Sequence, residues 1–230
     1  MANKKSGRNI EIQRNVIERY IMTVKEFVRE NSKKVKYISI AVLAIIAILI
    51  AADFTYGYIA SKERSRLDTI MDTYRAGSDN PEVAAKCRDE LMLLVKDART
   101  GHAQDMGRFF LASIYFDEKK YQESLEQYLE FAGDSSSDTL FVPLAVNKAS
   151  ICLEEMGKYD QAIALIAKYS ENKDFMVVMD QMIYNTGRLY ALKGDNAKAR
   201  EFFNQVRTDY PQSPYAEKAK ERLFLLSMPR

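Results

Sequence analysis

The chain has 230 residues, with 34 Lys+Arg against 32 Asp+Glu and one histidine, a formal net charge of +2. Residues 61–230 are mildly acidic, with their Lys and Arg unclustered, which argues against nucleic acid as a partner. The lone His102 lies in a loop-like TGHAQD stretch, and no P-loop, GxGxxG or Cys/His cluster is present, so no catalytic site, metal, cofactor or small-molecule substrate is expected. Nine glycines, five prolines and the lack of strand-like alternation point instead to an all-α protein.

Residues 1–36 read as a basic amphipathic segment on the cytoplasmic side. They hold ten Lys+Arg against four Asp+Glu, a net of +6. Residues 1–9 are polar and expected to be disordered. From Ile10 on, the apolar positions Ile10, Val16, Ile17, Tyr20, Ile21, Val24, Phe27 and Val28 keep to one helix face. Such a helix either lies on an anionic membrane leaflet or pairs with a partner helix.

Residues 37–59 are expected to cross a membrane. The run Tyr37–Ala52 (YISIAVLAIIAILIAA) has no charge, and apolar character resumes past Asp53 with Phe54, Tyr56, Tyr58 and Ile59. Sixteen helical residues reach roughly 24 Å, and extension to Tyr58 brings the helix to the ~30 Å of a hydrocarbon core. A cleaved signal is the rival reading, weakened by a lead of about 36 residues where whole signals measure about 15–30, and by the lack of an Ala-x-Ala site. Lys33, Lys34 and Lys36 precede the span, whereas residues 61–230 carry 24 Lys+Arg against 27 Asp+Glu. Positive residues stay inside, so the C-terminal body is placed across a bacterial inner membrane, in the periplasm.

Residues 60–103 read as linker helices or a degenerate repeat. Ser61–Tyr74 forms a helix with Leu67, Ile70, Met71 and Tyr74 on its apolar face, and AGSDNP (Ala76–Pro81) breaks it. Asn80 as N-cap and Pro81 at the first helical position start the next helix, which runs to about Thr100-Gly101. Cys87 and Cys152 have no metal or CxxC spacing and are read as buried thiols; an oxidising compartment would also permit a disulfide between them.

Residues 104–230 repeat. Gly187, Tyr190, Gly194, Ala199, Phe203 and Pro211 have counterparts at the same separations in Ser150, Leu153, Gly157, Ala162 and Ile166, and again in Ala112, Tyr115, Lys119, Ser124 and Tyr128. Small residues fall where paired helices would cross, large ones fill the space beside them, and KKY, GKY and GDN make the turns. Ser213 and Pro214 open a closing helix whose Lys218, Glu221 and Arg222 are expected to solvate the end of the stack. Asp117-Glu118 and Glu154-Glu155 sit beside turns, where solvated charge is the default. DSSSD (Asp134–Asp138) lacks the Gly and distal Glu of a calcium loop and reads as a connection between repeats.

GRLYALKGDNAKAREFFNQVRTDYPQSPYAEKA (Gly187–Ala219) resembles a tetratricopeptide repeat (TPR) followed by its terminal helix. Ala149–Tyr169 is similar without the closing Pro, and Leu111–Phe131 is similar with Lys119 for the turn Gly and Ser124 for the usual Ala. This implies an α-solenoid of about three helix pairs plus a capping helix, with a degenerate pair before them. It implies further that the first helices form a peptide- or partner-binding groove with Phe109, Ser113, Phe116, Asn147, Ile151, Glu154, Tyr184 and Arg188 on it. A carboxylate clamp is not expected, since Phe109 and Ser113 stand where that pattern has Lys and Asn. The layout of basic head, anchor and degenerate repeats also resembles the YfgM-like family of translocon-associated periplasmic TPR proteins. That resemblance implies a membrane-tethered scaffold of the protein-export and chaperone network, binding envelope or secretory proteins. A secreted TPR envelope or cell-division coordinator is the alternative.

Overall fold

The computed structural model describes residues 3–134, 141–170, 176 and 178–228. Among the described residues there are ten α-helices: α1 (Asn3–Glu30), α2 (Ser32–Gly77), α3 (Pro81–Asp97), α4 (Gly101–Asp117), α5 (Tyr121–Asp134), α6 (Phe141–Glu155), α7 (Tyr159–Ser170), α8 (Met179–Leu192), α9 (Asn196–Asp209) and α10 (Pro214–Ser227). The chain divides into two compact units, Met1–Tyr58 and Ile59–Arg230, which are described separately.

In the first unit, α1 begins at Asn3, inside the stretch expected to be disordered, and residues 1 and 2 lie outside the described residues. α2 contains the apolar run, with a mean hydropathy of 2.6 over its most apolar stretch and none of that stretch buried. The sequence suggested separate helices over 37–58 and 61–74. Nothing between them breaks the ladder, since Gly57 alone lowers propensity by only about 1 kcal/mol, and α2 runs on to Gly77.

The second unit is built from helix pairs. Asn80 caps α3, its side chain accepting from the Glu82 amide, and Pro81 takes the first turn, where a missing N–H costs nothing. α3 stops at Asp97, short of the expected Thr100-Gly101. Thr100 is the N-cap residue of α4, and its hydroxyl turns away from the helix to donate to Glu63 at 2.5 Å. Glu63 also accepts from the backbone N–H groups of Arg99 (2.8 Å) and Thr100 (3.1 Å). Desolvation opposes the Glu63 charge, but these three donors outweigh it and hold the carboxyl below its ordinary pKa. Leu67, Ile70 and Met71 of α2 join Cys87, Leu91 and Leu94 of α3 in the core that continues through α8.

The three repeat turns are superposable in their bonding. In each, one residue has positive φ: Lys119 (60°), Gly157 (72°) and Gly194 (83°). The amide that follows donates back across the helix end, Lys120 to Tyr115 (2.8 Å), Lys158 to Leu153 (2.8 Å) and Asp195 to Tyr190 (2.9 Å). This is the Schellman closure, which needs one left-handed residue.

Between the helices of each pair the small residues are sealed. Ala112, Ser124, Ala162 and Ala199 are 0 % exposed, and Tyr128 and Phe203 beside them are also fully buried. A Cβ on Gly187 would meet Phe203 at 2.8 Å, so α8 and α9 cross closer than any side chain permits. Ser124, standing where Ala is usual, donates its hydroxyl to the Ala112 carbonyl (2.7 Å) and receives a weak bond from Cys152 (3.3 Å). Cys87 and Cys152 are buried free thiols, and burial raises the pKa of both. From Ser135 onward the DSSSD stretch lies outside the described residues.

Candidate interaction groove

α6 and α8 are the first helices of successive pairs, and α10 follows them in the same role. Ala219, Tyr215, Leu223 and Leu226 pack α10 against Tyr184, Phe203 and Val206, and two polar contacts hold its ends. The Ser213 hydroxyl at its N-terminus donates to Asp180 of α8 (2.5 Å), and Arg200 of α9 donates to the Leu226 carbonyl near its end. The face these three helices share holds a 660 Å³ cavity. Its walls are Ile151, Glu154 and Glu155 from α6, Gln181, Tyr184, Asn185 and Arg188 from α8, and Tyr215, Lys218, Glu221, Arg222 and Leu225 from α10.

The cavity is amphipathic and balanced in charge, with three carboxylates and three cations among its lining residues. Arg188 donates to Glu154, tying α8 to α6, while its Nε–H is buried without a partner among the described residues. At the floor, the Asn185 amide donates to the Asn147 side-chain oxygen at 2.6 Å, with Asn147 almost fully buried. The Tyr215 ring lies 5.3 Å from that of Tyr184, tilted by 43°, and carries the Lys218 ammonium 4.9 Å from its centroid. Burial, then the charge of Asp180, raises the pKa of the Tyr215 hydroxyl.

Of the residues carried over from the repeat pattern, Ile151, Glu154, Tyr184 and Arg188 meet in this cavity. Tyr184 is its wall more than its surface, being 7 % exposed and packed 5.5 Å from Phe203. Asn147 lies beneath it. The α4 residues do not reach it. Phe109 is buried at the centre of an aromatic cluster, edge-on to Phe110, Tyr128, Phe131 and Phe141 at 5.4–5.8 Å. Its expected place on an open face is therefore corrected: the rings of α5 and Phe141 of α6 close over it and leave it 7 % exposed. Ser113 shares a hydrogen bond with the Tyr128 hydroxyl (2.8 Å), and half-buried Phe116 packs against Tyr121 at 5.4 Å.

The sequence reading missed Gln181, Asn185 and all of α10. Lys218, Glu221 and Arg222 line the cavity and are exposed, in keeping with the expectation that they solvate the end of the stack. The signal was present in the numbering. Lys218 and Arg222 follow Tyr184 and Arg188 at one TPR period of about 34 residues.

The fold agrees with known proteins. A family model described as a tetratricopeptide repeat-like domain matches residues 25–219. No curated protein matches the chain significantly. Among solved structures, the nearly identical TPR-like repeats of a putative kinesin light chain from Podospora anserina superpose with a TM-score of 0.53 at 15 % identity, covering 72 % of this chain and 85 % of that one. YrrB, described as a TPR protein with an unusual peptide-binding site, gives 0.48 at 19 % identity, over 61 % of this chain and 67 % of its own. With the family model spanning most of its length, this chain is a member of the tetratricopeptide repeat-like domain family.

Proposed function

We propose that the protein is a membrane-tethered, non-enzymatic scaffold that binds an extended segment of a partner protein in the α6–α8–α10 groove. The 660 Å³ cavity carries this reading. It offers two tyrosines, a leucine and an isoleucine for apolar side chains, and amide and guanidinium donors for a peptide backbone, the mixture that interfaces use. Repeats of this family stack to present first-helix faces of this kind. The uncharged run in α2, with Lys33, Lys34 and Lys36 before it, supports a single span with the repeats on the far side of a bacterial inner membrane. The resemblance to YfgM-like proteins supports partners among envelope or secretory proteins near the export channel.

Photo-crosslinking in intact cells tests the groove. A photoreactive residue at Gln181 or Arg222 should trap a partner polypeptide, and one at the exposed Lys198 or Glu201 of α9 should not. Equal trapping from both faces overturns the assignment. External protease on spheroplasts should digest residues beyond about 60 and spare the head; protection of the repeats overturns the topology.

A further inference from the structure

The charges of the groove are sorted by wall. α6 contributes only carboxylates, Glu154 and Glu155, whereas α10 contributes Lys218 and Arg222 with Glu221. Between them, Arg188 of α8 donates to Glu154 and closes that charge off. Glu155 accepts from the neutral Tyr121 hydroxyl, which satisfies an oxygen without cancelling the charge. Lys148, two turns back on α6, sits 5.9 Å from the Phe116 ring centroid and does not line the cavity. Two carboxylates against Arg188 leave the α6 side at −1, and two cations against Glu221 leave the α10 side at +1.

The place of Glu221 sharpens the contrast. Counted round α10 at about 100° per residue, Arg222 falls about 20° from Tyr215 and Lys218 about 60°, whereas Glu221 falls about 120° away. Tyr215 packs on Tyr184 at the floor, so the two cations stand beside the aromatic floor and Glu221 takes the outer flank. Past Arg188 and Arg222 the groove continues into a second cavity of 250 Å³, walled also by Glu154, Leu192 and Leu226. Space on both sides of these cations suits a chain that runs on past them, and hence a side-chain carboxylate more than a chain end.

Between the charged walls the surface is apolar, made by Ile151, Leu225 and the edges of Tyr184 and Tyr215. Packed helix axes lie about 8–10 Å apart, so α6 and α10 are separated by about 16–20 Å, the reach of roughly five or six extended residues. We propose that the groove takes an extended segment of mixed charge that crosses from α6 to α10. It places a basic side chain at Glu155, an apolar one over the tyrosines and an acidic one between Lys218 and Arg222. A segment with like charges at both ends meets repulsion at one wall, so the sorting selects the charge pattern of the partner. This rests on the reading of the groove as the partner site and adds the partner's chemistry.

The test uses the full chain in mild detergent and fluorescein-labelled peptides with a central leucine, read by fluorescence anisotropy. The peptides differ only at two places about five residues apart. These hold Lys and Glu (made in both orders), Lys twice, or Glu twice. At low ionic strength the tighter of the two mixed peptides should bind at least fivefold better than either like-charged one. Lys218→Glu with Arg222→Glu makes both walls negative and should turn the preference to the Lys-Lys peptide, a gain that an unfolded variant cannot give. Equal affinities for all the peptides, or a double variant with unchanged preference, overturn the charge sorting. Gln181→Trp, which fills the cavity, separates this from the groove reading. Binding without charge preference that Gln181→Trp abolishes refutes the sorting alone. Binding that survives Gln181→Trp, or no binding by any peptide, refutes both.

Discussion

Lys119 occupies a backbone position that the other two repeat turns give to glycine, and this makes a prediction of opposite signs. Its φ of 60° is left-handed, as are those of Gly157 and Gly194 at 72° and 83°. A left-handed residue with a Cβ costs roughly 1–2 kcal/mol, while glycine costs about 0.4–1 kcal/mol in the entropy of the unfolded chain. Lys119→Gly exchanges the larger cost for the smaller and should stabilise the protein by about 0.5–1 kcal/mol. Gly194→Ala makes the reverse exchange. A Cβ at Gly157 or Gly194 would have no atom within 4 Å, so the penalty is pure backbone strain, again about 0.5–1.5 kcal/mol. For a domain of this size each kcal/mol moves Tm by about 2–4 °C. Thermal unfolding of the full chain in mild detergent, followed by the near-ultraviolet circular dichroism of its tyrosines, measures both. A Lys119→Gly variant that melts lower, or a Gly194→Ala variant that melts unchanged, would show that the shared turn geometry does not set the energetics.

Ala199 is 0 % exposed where α8 and α9 cross, so Ala199→Leu should overpack the crossing and cost on the order of 1–3 kcal/mol in the same assay; an unchanged Tm would show that the helices can part freely. Glu63 provides a pH test. Its folded-state pKa is lowered, so its contribution is present above the unfolded carboxylate value of about 4.3 and is lost as pH falls through the folded value. Glu63→Gln should therefore destabilise the protein near neutral pH by about 1–3 kcal/mol, the range for hydrogen bonds to a charged acceptor, with the gap closing in acid. A gap that is the same at pH 7 and in acid would mean the charge is irrelevant to the α3–α4 junction.

Local chemistry made much of this protein legible from its residues. Gly157 and Gly194 mark turns because only glycine adopts positive φ without strain, and the same spacing identifies Lys119 although its side chain gives no hint. The N-caps Asn80 and Ser213, each followed by proline, place two helix starts to the residue. The small residues Ala112, Ser124, Ala162, Gly187 and Ala199 lie at helix crossings because size and spacing alone decide which positions can let two helices touch.

The groove was only partly legible, because burial depends on how many neighbours a helix acquires. Phe109 and Tyr184 occupy corresponding turns of α4 and α8, and the repeat pattern puts both on one face. In the folded chain both are 7 % exposed: Phe109 closes into an aromatic core, and Tyr184 packs between Phe203 and Tyr215 with only its edge at the cavity. The residues of α10 read alone as a solvated cap, since Lys218, Glu221 and Arg222 are charged. Burial of Ala216 and Ala219 against α8 and α9, with the Ser213–Asp180 and Arg200–Leu226 contacts at its ends, turns that helix so its charges line the groove. Sequence by itself determined the repeats, their turns and their crossings, which depend on bonds and contacts within one helix pair. Tertiary structure decided which first-helix residues remain open to a partner, because exposure is a property of the whole stack.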